Sequence, residues 1–512
     1  MVNKPVNTFI AKFLYSFLFI VLLPLSLFLW ASKLDELIML PVPRSEPAAI
    51  GSIAFGGSLM VKGMLDLLIW GKGLPMNIFP PKKFVTRGIY AWFSHPIYLG
   101  AALLSIGLSL WFLSSGGLYI VTPVLILAMF SLVCGYEHFA ISKTFGESVR
   151  QYHPVFSIPT SSAKYRQLVI TAIIFILIVV YTSVLFFFSG FNLTGNIFLL
   201  GLVGLAILFL AFSYKVIWNA MKGFAEWVAN SRRDWLFFKG KFRIINHSIY
   251  SGLAGAVGAG IFGYIIGDDL AALVFTFCVV LGAAGFAQFR WGSASLLRPF
   301  GYWGAILGGI LGIILIRIFF HISLYQAAIA GVLCAPFTQA IGRLRCLSQG
   351  CCHGVVASKE LGIRVWQSQS RVVILSGLKG EYILPTQLYS ILFDLLLGLL
   401  LFLAWSSHKL SVSLIVGLYF ILTGIERFTE DAYRGEKQTK LAMGLRENQW
   451  IAIAAVVVGM IITILPFPLS INALGEFNLA FIGTALLGGL IVAFAMSTDF
   501  PRSGVRFSRL SG

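Results

Sequence analysis

NLAFIGTALLGGLIVAFAM, residues 478–496, runs for nineteen residues without a charged side chain. A helix of about 20 apolar residues crosses the hydrocarbon layer of a bilayer, and a helix satisfies every backbone N–H and C=O within itself where water is absent. The same pattern opens the chain in FIAKFLYSFLFIVLLPLSLFLW, residues 9–30. That run is longer than a signal-peptide core and lacks a small-residue cleavage site, so it reads as a retained anchor. Between these two runs the pattern recurs, for about fourteen spans by the window rule. Of the 512 residues, 58% are hydrophobic and 11% charged, and the mean hydropathy is +0.88, which excludes an ordinary soluble globular domain. The expected fold is an all-α polytopic integral membrane protein with about fourteen transmembrane helices in two modules.

The net charge of +18 fits basic loops on the cytoplasmic side and contact with anionic headgroups; nucleic acid is not an expected partner. With the amino terminus inside, the basic segments 72–87, 136–166, 220–247, 342–385 and 428–448 and the tail with Arg502, Arg506 and Arg509 all fall on the cytoplasmic face. Two long polar segments, 136–166 and 220–247, divide the chain, with two spans near 167–189 and 195–219 as a linking hairpin. The expected domains are 1–166, a linker 167–239 and 240–512. GLAGAVGAGIFG (252–263) and GAILGGILG (304–312) space small residues for close helix packing.

Residues 71–100 read GKGLPMNIFPPKKFVTRGIYAWFSHPIYLG, a proline-rich re-entry between two spans. His95, Tyr98 and Gly100 stand at the mouth of the next helix, and after a hairpin come Glu137, Phe145-Gly146 and Tyr152. Ionisable groups at both ends of a helical hairpin converge on one membrane face, and such groups are functional candidates. This order closely resembles the integral-membrane isoprenylcysteine carboxyl and phospholipid methyltransferases over about residues 50–160. The resemblance implies that His95, Tyr98, Gly100 and Glu137 line an S-adenosylmethionine pocket and that Tyr152 helps close it. Ser94 stands where those enzymes usually carry an arginine, His138 where a second glutamate stands, and Val149 where another tyrosine is expected.

The loop GRLRCLSQGCCHG, residues 342–354, gathers three of the six cysteines. Cys134, Cys278 and Cys334 lie in apolar runs and read as packing residues. Adjacent Cys351 and Cys352 cannot easily serve one tetrahedral ion and no C-x-x-C pair is present, so no metal is expected. LPTQLY (384–389), GIERFTEDAYRGE (424–436) and GLRENQW (444–450) place Arg343, Arg427 and Arg434 at span ends beside Glu430 and Asp431. A planar guanidinium suits phosphate. Arg427 and Arg434 are two turns apart and share a face if their helix continues.

This ordered set resembles prolipoprotein diacylglyceryl transferase over about residues 240–466, through Gly342, Arg343, Gly350 and Gly354, then Pro385, Gln387, Leu388 and Tyr389, then Arg427, Asp431 and Arg434, and Gln449. The resemblance implies transfer of a diacylglyceryl group from phosphatidylglycerol to a lipoprotein thiol or another acceptor, in a bacterial-type cytoplasmic membrane and without a cofactor in this module. Arg343 and Arg427 would bind the phosphate and stabilise the leaving glycerol phosphate, with Arg434 and Asp431 organising the headgroup site. Gln387, Tyr389, Tyr302 and Gln449 would contact substrate. Trp303, with Tyr302 beside it, replaces the family's histidine, Leu384 replaces another, and Cys346 and Cys351 stand for its Asn and Glu. The proton acceptor is then Tyr302 or an acceptor already ionised. The family transferase works at the outer face, so the inside position of the Arg343 loop implies an inverted module. The other readings are a methyltransferase alone, with the back module as lipid scaffold, and a lipid-binding or transport protein.

Overall fold

The structure, a computed structural model, describes residues 8–73, 81–152, 154–156, 216–291, 301–407, 410–436, 441–466, 474–476, 478–505 and 508–510. Its principal helices are α1 (Phe13–Asp35), α2 (Glu46–Gly71), α3 (Pro96–Trp111), α4 (Gly117–Phe145), α5 (Ser248–Ile266), α6 (Asp269–Trp291), α7 (Tyr302–Phe319), α8 (Leu324–Gln349), α9 (Thr386–Ser406), α10 (Val412–Tyr433), α11 (Glu447–Thr463) and α12 (Leu479–Ser497). Ten helices among the described residues are long and apolar enough to cross a membrane, with the shorter α3 and α11 beside them. The chain is a multi-pass, mostly helical integral membrane protein. The count of about fourteen spans is not reached among the described residues; the linking hairpin expected at 167–189 and 195–219 lies outside them up to residue 215, as does Arg506.

The chain divides into two compact units: Met1–Ala172, Phe420–Ala432 and Lys440–Leu465 form the first, and Ile173–Tyr419, Tyr433–Thr439 and Pro466–Gly512 the second. Helix α10 thus contributes its first turns to one unit and its last three to the other.

In the first unit α2 starts where the Ser45 hydroxyl accepts the Ala48 amide at 3.4 Å and Pro47 sits in the first turn, where its missing N–H costs nothing. α2 and α3 cross at touching backbones: a Cβ on Gly100 would lie 2.5 Å from the Gly56 carbonyl oxygen. Helix α4 meets α10 through Ser131, whose hydroxyl donates to the Ile425 carbonyl at 3.1 Å and pairs with Thr429 at 2.7 Å. Bonds of this kind contribute about 0.6 kcal/mol each on average in a membrane. Trp30 of α1 donates to Thr463 of α11 at 2.8 Å.

In the second unit the predicted small-residue stripes do pack closely. Gly255 of α5 lies against Val492 and Gly488 of α12, and a Cβ on Gly308 of α7 would sit 2.2 Å from the Cys278 carbonyl oxygen of α6. The basic run 230–247, expected as a loop, folds into strands β1 (Asp234–Phe237) and β2 (Phe242–Ile245), which pair with a strand at Thr498–Asp499 in a small antiparallel sheet. Two of its arginines are paired: Arg232 bonds Asp234 at 3.0 Å, and Arg243 bridges Asp234 at 3.2 Å and Asp499 at 2.6 Å.

Candidate functional site

In the first unit, four of the five residues expected to hold a cofactor gather into two linked groups. α4 contains a π-helical turn, Val133–Glu137, and such turns recur at functional sites because the extra residue redirects the side chains that follow. Glu137 ends that turn, buried. It accepts a hydrogen bond from the Tyr98 hydroxyl, and its other oxygen lies 3.9 Å from His95 Nδ1. The His95 ring stacks on Tyr98 with centroids 6.0 Å apart. Burial, reinforced by the neighbouring His138, lowers the His95 pKa to about 4; 37% of its side chain nevertheless remains exposed. The imidazole is therefore neutral near pH 7. Tyr152 donates to the Tyr90 carbonyl and meets Phe84 edge-on at 5.2 Å; burial pushes its phenol up to about 12. Gly100 is placed differently: its α-carbon faces α2, in the close crossing described above.

Asp66, not singled out from the sequence, fixes the Gly88–Ile89 turn that precedes α3. Fully buried on α2, it pairs with Lys62 at 2.9 Å and accepts the Ile89 amide at 2.7 Å. Gly88 makes the turn at φ +65°, and a Cβ there would fall 2.1 Å from the Asp66 carboxylate. A lone acid in an apolar helix was the signal that could have found it.

The last turns of α10 lie in the same unit. Arg427, 5% exposed, pairs with Glu430 one turn on, and its Nε lies 3.2 Å from Glu426. Glu426 was also missed from the sequence, although Glu-Arg adjacency at a span end signals it. Asp431 accepts from Asn448 at 3.1 Å. Gln449 is engaged by backbone: its Oε1 accepts the Arg446 amide at 2.9 Å, and its Nε2 donates to the Phe428 and Gly135 carbonyls at 3.0 and 3.1 Å.

In the second unit the loop after α8 is the organised feature. α8 ends at Gly350, φ +77°, and the chain then turns through Cys351 and Cys352. Residues 353–356 run between two partners. Val355 and Gly435 bond Tyr433 and His353 carbonyls at 3.0 and 2.8 Å, while Gly354 and Leu384 bond Leu384 and Val355 carbonyls at 2.9 Å. The LPTQLY segment clamps the turn: Gln387 Nε2 donates to the Cys351 carbonyl at 2.7 Å and the Thr386 hydroxyl to that of Cys352 at 2.5 Å. Tyr389 stacks on Trp218 at 5.4 Å. Arg343 lies buried two turns before the loop, and Arg345 donates through Nε and Nη2 to the Met496 carbonyl at 3.1 and 2.9 Å.

Arg434 does not continue the α10 face: the helix ends at Tyr433, and Arg434 pairs as a bridge with Gly354. Glu436, just beyond, accepts the Cys352 amide at 2.9 Å; burial raises its pKa, Cys352 adds to this and Arg434 opposes it. Tyr302 faces Tyr419 of α10 with hydroxyls 3.3 Å apart.

Chemically, the first unit offers a buried carboxylate flanked by a phenol and a neutral imidazole, a set that favours a cationic ligand group. The second offers a buried guanidinium next to a loop whose backbone is held on both sides, a set that favours a phosphate. A family model described as prolipoprotein diacylglyceryl transferase matches residues 244–465, and one described as phospholipid methyltransferase matches residues 47–148. The phosphatidylglycerol–prolipoprotein diacylglyceryl transferase 2 of Clostridium perfringens (strain 13 / Type A) is 30% identical over 172 residues, covering 33% of this chain and 64% of that protein. The phosphatidylglycerol–prolipoprotein diacylglyceryl transferase of Clostridium tetani (strain Massachusetts / E88) is 27% identical over 161 residues, covering 31% of this chain and 61% of that protein. The chain thus spans somewhat less than two thirds of the length of these relatives. Both resemblances read from the motifs are matched by a family model, the transferase in the carboxy-terminal part and the methyltransferase in the amino-terminal part.

Proposed function

We propose that the chain is a membrane-embedded lipid-modifying transferase. Its part from residue 240 onward transfers a diacylglyceryl group from phosphatidylglycerol to a thiol, a prolipoprotein cysteine or another acceptor. Its part up to residue 166 is an S-adenosylmethionine-dependent methyltransferase. The observation that carries the reading is the buried Arg343 beside a loop that Gln387 and Thr386 hold by its carbonyls.

The transfer forms a carbon–sulfur bond as the glycerol carbon–oxygen bond breaks, and glycerol phosphate leaves with the bonding electron pair. Arg343 binds the phosphate and stabilises the charge that develops on the leaving oxygen. Arg434, at the bridge to Gly354, orients the headgroup, and Tyr389 contacts the lipid. The thiol hydrogen-bonds to the Tyr302 oxygen and its proton leaves on the departing glycerol phosphate, unless the acceptor is already ionised. Arg427 and Asp431 on α10 are the further catalytic candidates, and Gln449 supports them through its backbone bonds. In the first unit, S-adenosylmethionine supplies an electrophilic methyl group when bound. The donor set fits its cationic part: Glu137, with Tyr98 donating to it, attracts positive charge, His95 stays neutral, and Tyr152 fixes the Tyr90 segment. Ser94 offers no guanidinium for the cofactor carboxylate. The membrane is the bacterial-type cytoplasmic membrane, with the end of α8 that carries Arg343, a helix where the sequence suggested a loop, facing inward.

A second reading, a methyltransferase alone with a lipid-binding back part, is favoured by the pairing of Arg427 with Glu426 and Glu430, which neutralises that guanidinium. One experiment separates the two. Purified protein is incubated with phosphatidylglycerol and a cysteine-bearing lipoprotein-type peptide, with and without S-adenosylmethionine, and products are followed by mass. Release of glycerol phosphate that is abolished in Arg343→Gln at unchanged protein level supports the transferase. Methyl gain without glycerol phosphate release leaves the second reading.

A further inference from the structure

We infer that Cys346, Cys351 and Cys352 form a binding site for one soft d10 metal cation, Zn2+ or Cu+, where the last turn of α8 meets the loop that follows it. The three sulfur atoms lie within 4.8 Å of one another, and all three residues are free thiols. A metal–thiolate bond of about 2.3 Å sets the sulfurs of a trigonal or tetrahedral group about 4 Å apart. Side-chain rotations of a few tenths of an ångström therefore bring the set onto one ion.

The objection from sequence was that adjacent cysteines cannot easily serve one tetrahedral ion. The backbone removes it: Cys352 takes a left-handed conformation, φ +57°, two residues after Gly350 at φ +77°. Two left-handed residues in three turn the chain back on the end of α8, so that Cys351 and Cys352 face Cys346 together. A non-glycine residue in this region is strained, and it persists because the surroundings hold it. The Cys352 amide is tied to Glu436, its carbonyl to Thr386 and the Cys351 carbonyl to Gln387. The clamp thus fixes the one conformation in which three thiols converge.

Charge agrees with a soft cation. Three thiolates around Zn2+ carry a net −1, and around Cu+ a net −2, and burying either alone is costly. Arg343 and Arg345 both act electrostatically on Cys346. Arg345 is anchored to a neutral carbonyl and supplies a compensating positive charge. Soft thiolate sets select Zn2+ and Cu+ over Mg2+ or Ca2+. Binding releases the thiol protons to solvent and requires no oxidant. The ion would hold the loop rather than take part in group transfer, and the proposal does not depend on the transferase reading.

The test uses the full chain in detergent under reducing conditions, with no lipid present. Protein stripped with a chelator is titrated with Zn2+ alone and, anaerobically, with Cu+ alone, each against a competing chromophoric chelator. One equivalent of either ion bound in wild type, weakened in Cys352→Ser by more than the roughly 10–100-fold typical of losing an outer partner, supports the site. Cys278→Ser, remote from the loop, should bind as wild type. Because a loop variant could fail to fold, wild-type protein is also alkylated with and without each ion. Protection of Cys346, Cys351 and Cys352 together supports the proposal. Neither ion bound stoichiometrically, no protection, or a disulfide among the three in place of metal overturns it.

Discussion

Arg427 is the residue at which structure and chemistry can be separated most sharply. It is 5% exposed, with Glu426 at 3.2 Å and Glu430 closer still. Replacing it by glutamine strands two buried carboxylates. Breaking a buried pair from one side costs about 3–5 kcal/mol, whereas replacing the whole group by neutral side chains of similar volume is near neutral. In a unit of this size each kcal/mol moves the melting temperature by roughly 2–4 °C, so Arg427→Gln should lower it by roughly 6–20 °C. The triple variant Glu426→Gln, Arg427→Gln, Glu430→Gln should recover more than half of that loss. If Arg427 also stabilises the departing phosphate, the triple variant should still release glycerol phosphate about 100–1,000-fold more slowly than wild type. The assays are thermal unfolding in detergent and product release at matched folded protein. A triple variant as unstable as the single one would refute the ionic account, and full turnover in the triple variant would remove Arg427 from the chemistry.

Gly88→Ala should destabilise the first unit by about 2–4 kcal/mol, from left-handed backbone strain plus displacement of the Asp66 carboxylate; loss of protection of the Ile89 amide in hydrogen exchange checks the location. The pH dependence of stability should carry a His95 signature. Its folded pKa, about 4, lies below the ordinary histidine value of 6.5, so the unfolded chain binds the proton first. Stability present above pH 6.5 should then decline as pH falls towards 4, and the melting profile of His95→Gln should be flatter across that window. Gln387→Leu leaves the buried Cys351 carbonyl without its donor, at a cost of about 1–3 kcal/mol. In metal-free protein, alkylation of Cys351 should accelerate by about 5- to 100-fold, and an unchanged rate would mean that Gln387 does not hold the loop.

Much of this protein was legible in its sequence because hydropathy is a local property. A run such as 478–496 has to form a helix wherever it lies in a bilayer, since no other partner exists for its backbone. The order of the arginine, glutamine and histidine motifs likewise survives in one dimension, and so the two family resemblances could be read before any coordinate. Partnership was not legible, because it depends on side-chain direction and on chain returning from far away. Gln449, read as a substrate contact, has its amide bonded to the Phe428 and Gly135 carbonyls, the second 314 positions distant. Gly100, read as a pocket residue, is where two helices touch. The cysteines of 346–352 read as a poor set for one ion, since their convergence depends on left-handed backbone at 350 and 352 held by bonds from positions 386, 387 and 436. Sequence alone determined that the chain spans a membrane and which two families its parts resemble. Only the tertiary structure decided which of its polar groups are occupied by one another.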